Sequence, residues 1–289
     1  MLGSGVCLRE PIAIRAGMST SRLGATCSPS SDDLECGCRH TYTSNMATKW
    51  PTLQPPVPHE LLPQHIAVIM DGNGRWAKSQ GLLRVRGHEA GVAAVRESVR
   101  YCGQLHVRAL TLYAFSTENW KRPRREVEYL MRLLKKFLRD ELEELHLNGV
   151  RLTSIGGTRE LPTDVRAELR KAQQYTAHNT GLNLCLALNY GAQDELADAA
   201  RKVAVQVSSG KLTADEVSEA TVTAALHTAG MPELDLLIRT AGERRLSNFL
   251  LWQVCGAEFH VEDACWPDFR RAHLKRAIEI FAERRLAEA

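Results

Sequence analysis

From residue 65 onward the chain alternates short apolar runs with longer stretches of helical period. His65, Ile66, Ala67, Val68, Ile69 and Met70 are continuously apolar after the first position, the mark of a strand covered on both faces. Comparable runs recur at 109–115, 151–155, 182–188, 234–238 and 258–261. Between them the spacing predicts helices over 88–105, 125–147, 162–178 and 194–207, a helical insert over 214–227, a short helix over 249–254 and a charged helix from Phe269. The longest carries Val127, Leu130, Met131, Leu134, Leu138, Leu142 and Leu145 on one stripe. Six strands with intervening helices predict an α/β fold built on a central six-stranded, mostly parallel sheet flanked by helices. Ligands in such folds gather at the C-terminal ends of strands.

The first stretch reads differently. Up to about residue 49 there is no sustained period, and Ser, Thr, Gly, Cys and Arg dominate. Without a continuous apolar core it is a poor secretory signal, and its Ser/Thr bias fits a plastid-directed transit peptide better than a mitochondrial one. A plain disordered tail, or upstream sequence before a true start at Met46, accounts for it as well. Pro51, Pro55, Pro56, Pro58 and Pro63 then predict a stiff extended connector. The expected division is a leader and connector over 1–58 and one folded domain over 59–289.

Composition narrows the classes. A net charge of +3 implies no general field for nucleic acid. No apolar run reaches the roughly 20 residues of a membrane span, which leaves peripheral lipid contact open. Of the eight cysteines, Cys102, Cys185, Cys255 and Cys265 stand singly in predicted elements, as buried small hydrophobes do. Cys36, Cys38 and His40 lack both the spacing and the second half of a zinc site.

Four polar groups fall at strand ends. Asp71, Gly72, Asn73, Gly74, Arg75 and Trp76 follow the first strand. Glycines there let backbone N–H groups approach an anion, and Asp71 offers a hard oxygen suited to Mg²⁺ bridging to phosphate. A tight turn without a ligand fits the same residues equally well. Arg84 and His88 precede the next helix, as phosphate holders or as a solvated arginine and a cap. Ser116, Thr117, Glu118, Asn119, Trp120 and Arg122 crowd the end of the second strand. Arg239 closes an apolar strand, where an unpaired guanidinium is expensive and a bound anion is a natural partner. Arg245, Leu246 and Ser247 follow at the expected start of a helix, and Glu258 is a candidate second metal ligand. Five arginines with few acids suit two multiply charged phosphorylated ligands.

In order and spacing these blocks resemble the cis-prenyltransferases, of which undecaprenyl diphosphate synthase is the bacterial type. The resemblance runs over about residues 64–285 and rests on residues 65–78, Gly87 with His88, residues 110–120, Asn189 to Gly191, Ile238 to Thr240, and residues 247–253. It implies a parallel sheet enclosing a hydrophobic tunnel, a homodimer, Mg²⁺, and condensation of isopentenyl diphosphate with an allylic diphosphate to a cis-polyprenyl diphosphate. By match of motif, Asp71 places the metal, and Gly72, Asn73, Gly74, Arg75, Arg84 and His88 cradle the allylic diphosphate. Ser116 and Asn119 lie near the condensing carbons, with Trp120 as a wall. Arg122, Arg239, Arg245 and Ser247 hold isopentenyl diphosphate, and Glu258 completes the metal site. Ala114 and Leu182 match end-wall positions. Arg244 stands where the bacterial pattern has histidine. The tail lacks the Arg-x-Gly ending of heteromeric subunits. A non-catalytic partner subunit on the same fold is the alternative, disfavoured because Asp71, Arg75, Asn119, Arg239, Arg245 and Ser247 are all present.

Overall fold

In the computed structural model, which describes residues 48–288, the first apolar run becomes β1 (His65–Ile69), buried at every position. Its alternate residues serve two cores. Ile66 and Val68 face one apolar cluster, Ala67 and Ile69 another on the opposite side of the sheet. His65 tolerates full burial because its ring nitrogens meet Thr111 Oγ1 at 2.8 Å and the Pro232 carbonyl at 3.0 Å.

β2 (Ala109–Ser116), β3 (Arg151–Ile155), β4 (Asn183–Tyr190), β5 (Leu236–Arg239) and β6 (Glu258–Val261) complete one sheet. Its order is β3-β4-β2-β1-β5-β6, and all five pairings are parallel, so the sheet is wholly rather than mostly parallel. The chain leaves β1 toward β2 on one side and reaches β5 on the other. Such a switch point opens a crevice above the carboxyl ends of the central strands.

The helices depart from expectation in instructive places. The glycine turn after β1 opens directly into α1 (Asn73–Ser79), too short to show a period. α2 (Arg84–Gln104) starts at Arg84, four residues before His88. Gly87 lets α1 lie on it, since a Cβ there would stand 1.9 Å from the Asn73 carbonyl oxygen. The helix predicted over 125–147 is two, α3 (Arg124–Asp140) and α4 (Leu142–Leu147). They part at Glu141, whose buried carboxylate accepts from Arg96 Nε of α2 at 2.6 Å. α5 (Thr163–Tyr175), α6 (Ala192–Ser208), α7 (Glu219–Ala225) and α8 (Arg271–Glu288) follow. The predicted 249–254 helix is a series of turns instead. Ser247, Asn248 and Leu250 have φ of 49°, 60° and 47°, which an α-helix does not admit.

Of the leader and connector expected over 1–58, residues 1–47 lie outside the described residues. Residues 48–57 lack regular structure, as a proline-rich connector should. They are packed on the body all the same. Leu53 N–H donates to the Gln104 carbonyl (3.0 Å), and Trp50, Leu53 and Val57 cover the core. Residues 48–57 are therefore seated on the folded body. Cys102 and Cys185 are buried free thiols, pushed up by burial to about 12 and about 11, whereas Cys255 is exposed, against expectation. Among the described residues no helix is long and apolar enough to cross a membrane.

Candidate active site

The ends of β1, β2 and β5 meet at Asp71. Its backbone N–H donates to Thr240 Oγ1 (2.8 Å), and that hydroxyl donates back to the Asp71 carbonyl (2.7 Å). Oδ1 accepts from Gly72 N–H at 2.6 Å and Oδ2 from Arg239 at 2.8 Å. Gly72 has φ of 94°, and a Cβ would stand 2.8 Å from that of Ala241, so glycine is required. Burial pushes the Asp71 carboxyl upward. The Arg239 guanidinium and the Gly72 amide outweigh it and hold the group below the usual range.

Arg239, for which the sequence suggested a bound anion as partner, already has a carboxylate of the chain itself. Its side chain is 4% exposed and paired with Asp71. It also donates to the Arg245 carbonyl and to Ser247 Oγ, the latter at 2.6 Å. Only its Nε is left without a partner.

Each of the other four arginines also faces a carboxylate. Arg84 and Arg122 share Glu126, at 3.1 and 3.0 Å. Arg75 and Arg245 share Glu243, at 3.6 and 3.4 Å. His88 stands 3.8 Å from Glu126 and accepts from Arg122 at 3.4 Å. Burial, then the Arg122 charge, pushes this imidazole down to about 4. It is neutral at pH 7 and adds a hydrogen-bonding group rather than charge. The geometry groups Arg122 with Arg84 and His88, not with Arg239 and Arg245.

Two cavities meet at Asp71. One, of about 580 Å³, has Asp71, His88, Ser116, Asn119, Arg122 and Ser247 at its polar end. It then runs between α2, α3 and the sheet over Val95, Leu112, Leu134, Phe137 and Leu186. The other, of about 520 Å³, is lined by Gly72, Gly74, Arg75, Lys78 and Arg84. The arrangement suits a ligand with a polyanionic head and an apolar tail.

Ser116 and Asn119 fix each other, the Ser116 N–H donating to Asn119 Oδ1 at 3.2 Å. Glu118 accepts from Asn248 Nδ2 at 3.0 Å. Asn73 reaches the larger cavity with Oδ1 unpartnered. Ala114 lines that cavity, whereas Leu182 lies in the surrounding core outside its lining.

Several expected residues stand elsewhere. Trp120 does not wall the large cavity. Its Nε1 donates to Asn189 Oδ1 (2.7 Å), and it faces a separate groove of about 470 Å³. Trp76 turns to Asp268 (2.9 Å), Leu246 joins the second core, and Thr117 backs onto Gly191. The Arg245 side chain is 74% exposed in a stretch without regular structure, not at a helix start. Glu258 opens β6, at the opposite end of the sheet from Asp71, and pairs with Arg284 at 2.5 Å. Within one chain it cannot share a metal with Asp71.

Sequence reasoning gave no role to Glu126, Glu243, Thr240 or Asn189. Thr240 and Asn189 fall inside the motif blocks, and Glu126 stands four residues after Arg122 at helical pairing distance. Among the described residues no three His, Cys, Asp or Glu stand grouped as a metal cage. Mg²⁺ does not need one, since it is commonly held by one or two carboxylates plus substrate phosphate. Asp71 fits that role, its carboxylate 36% exposed and with lone pairs beyond the two in use.

Residues 69–287 match the family described as putative undecaprenyl diphosphate synthase. An isoprenyl transferase of Agrobacterium fabrum is 52% identical over 223 residues, 77% of this chain and 90% of that protein. One of Clostridium perfringens is 48% identical over 223 residues, 77% of this chain and 88% of that one. Among solved structures, lavandulyl diphosphate synthase from Lavandula x intermedia in complex with dimethylallyl diphosphate superposes with a TM-score of 0.75 at 37% identity, covering 77% of this chain and 96% of that one. A probable undecaprenyl diphosphate synthase from Campylobacter jejuni gives 0.62 at 34% identity, over 76% and 94%.

Proposed function

The chain belongs to the undecaprenyl diphosphate synthase family of prenyltransferases, and from that premise we propose that it condenses isopentenyl diphosphate with an allylic diphosphate, leaving a cis double bond and releasing diphosphate. One observation carries the reading. A cationic mouth of arginines around Asp71 opens into a cavity of about 580 Å³ whose inner walls are apolar, as an isoprenoid tail requires.

Arg75, Lys78, Arg84 and the neutral His88 bind the allylic diphosphate, whose departure leaves positive charge on the reacting carbon. Arg239, Arg245 and Ser247 hold isopentenyl diphosphate with its alkene toward that carbon. Positioning of the two reactants supplies much of the rate enhancement. Ser116 and Asn119, each fixed by the other, face the junction and guide the proton that must leave. Mg²⁺ held by Asp71 supplies neutralisation of the leaving diphosphate, and a carboxylate beside that anion otherwise repels it. The apolar cavity serves as the product tunnel.

A homodimer is supported by β6, an edge strand whose four residues are all only partly covered. Delivery to a plastid is supported by the Ser/Thr-rich leader, and a fluorescent fusion of residues 1–58 found only in the cytosol removes it.

The test combines purified chain, Mg²⁺, labelled isopentenyl diphosphate and C5 to C20 allylic primers. The expected result is incorporation into cis products, abolished by EDTA and restored by Mg²⁺. Asp71→Asn should lower kcat by roughly 10²–10³-fold, measured at a temperature where the variant stays folded, since the change also leaves the buried Arg239 without its carboxylate. No incorporation with any primer overturns the reading. Near-normal turnover in Asp71→Asn overturns the role of the metal.

A further inference from the structure

The large cavity descends from its polar mouth between α2 and α3, and Phe137 stands among the residues at its deep end. Phe137 has a second side. It also borders a small pocket whose other walls include Val99, Leu145 and Trp50. Phe137 thus stands between the large cavity and the pocket that Trp50 helps to line. The chain direction agrees. α2 starts beside Asn73 at the mouth, and Gln104 at its far end takes the Leu53 N–H, so residues 48–57 cross the end remote from Asp71.

Trp50 is held there from several directions. Its Nε1 donates to Glu144 Oε1 at 2.7 Å, and Arg100 fixes the same oxygen at 2.7 Å. Its backbone N–H donates to Asn148 Oδ1 at 2.6 Å, and Asn148 Nδ2 returns a bond to the Thr48 carbonyl at 3.0 Å. Gly103 on α2 leaves the space the indole fills, since a Cβ there would stand 2.7 Å from the ring. Residues 48–57 also precede the region that matches the family, 69–287. This floor is therefore supplied by a segment outside that region.

We propose that Trp50 is the second floor of the product cavity, beneath Phe137, and that residues 48–57 set the upper limit on product length. The inference rests on the prenyltransferase reading. Each condensation adds five carbons at the mouth and drives the free end of the tail deeper. The end meets Phe137 first. That ring yields little, because the indole on the far side of the pocket behind it is pinned. Elongation stops when the tail is compressed against this pair and release becomes the easier course.

The experiment sizes the products of the full-length chain with labelled isopentenyl diphosphate and one allylic primer. Phe137→Ala should lengthen them by about one C5 unit, the space that the truncation frees. Adding Trp50→Ala should extend the ladder further. Adding Gly103→Ala should do the same, because its methyl evicts the indole while alanine suits the helix better than glycine. Double variants that give only the Phe137→Ala ladder, at whatever yield, make Trp50 a structural prop and overturn the proposal. If the double variants do not fold, Phe137→Ala alone decides. A primer analogue with a photoreactive terminus, elongated on the enzyme, should then label residues 48–57. Label confined to α2 and α3 overturns it. A wild-type chain that incorporates no isopentenyl diphosphate marks failure of the prenyltransferase reading instead.

Discussion

Burial and the neighbouring Arg122 and Arg84 charges keep the His88 imidazole neutral, with Glu126 pulling the other way. Its pKa of about 4 lies below the ordinary value of 6.5, so the unfolded chain takes up the proton first as pH falls. Above pH 6.5 the group is neutral in both states and contributes nothing. Between 6.5 and 4 stability is lost, by about 2 kcal/mol at pH 5. Denaturant unfolding should show His88→Gln losing less stability between pH 7 and pH 5 than the wild type by that order. His65, also shifted downward by burial, is common to both proteins and cancels. Equal losses would mean that His88 titrates normally. The sequence pointed to Asp71 and Arg239 because charged residues there close apolar strands, and to His88 through the motif match beside a helix start. It did not reveal that each cation already has a carboxylate, since Glu126 and Glu243 look like ordinary surface acids until the chain folds.

α2 shows how an element can be legible while its reason is not. A helical period marks it, yet Gly87 and Gly91 are residues that weaken an isolated helix. Alanine in place of an exposed helical glycine normally stabilises by about 1 kcal/mol. Gly87→Ala should do the reverse, by about 1–3 kcal/mol, because its methyl meets the Asn73 carbonyl oxygen and lifts α1 from α2. Thermal unfolding measures the sign directly. A raised melting temperature would mean that α1 is free to move aside. The break at Glu141 and the turns at 247–250 follow the same logic. Apolar spacing continued through both, but a buried carboxylate bonded to α2 ends one helix and positive φ angles forbid the other.

At the scale of the whole molecule, residues 48–57 belong to the body although nothing in their composition says so. A proline-rich run without period predicts a segment that buries little. The structure seats Trp50, Leu53 and Val57 on the core. A chain starting at Pro58 should therefore melt about 5 °C below one starting at Met46. Calorimetry on the two proteins checks it, and equal melting temperatures would return the segment to the role of a passive connector.

The sequence by itself determined the six strands, the burial of β1 on both faces, the α/β sheet and the family, and it singled out Asp71, Asn119 and the arginines as candidates. These are local signals: apolar runs, a glycine turn, polar residues clustered where a strand stops. The tertiary structure alone decided which charges meet. Asp71 and Arg239 are 168 residues apart in the chain, and their pairing follows from β5 lying beside β1. Glu258, expected in the same site, was removed from it by the parallel sheet, which puts the start of β6 at the far end. Trp50 found its place only because α2 carries a glycine where the indole lands. Local sequence records how each segment is buried and bent. Long-range contacts depend on the order of strands and helices around them, and no short window of residues contains that order.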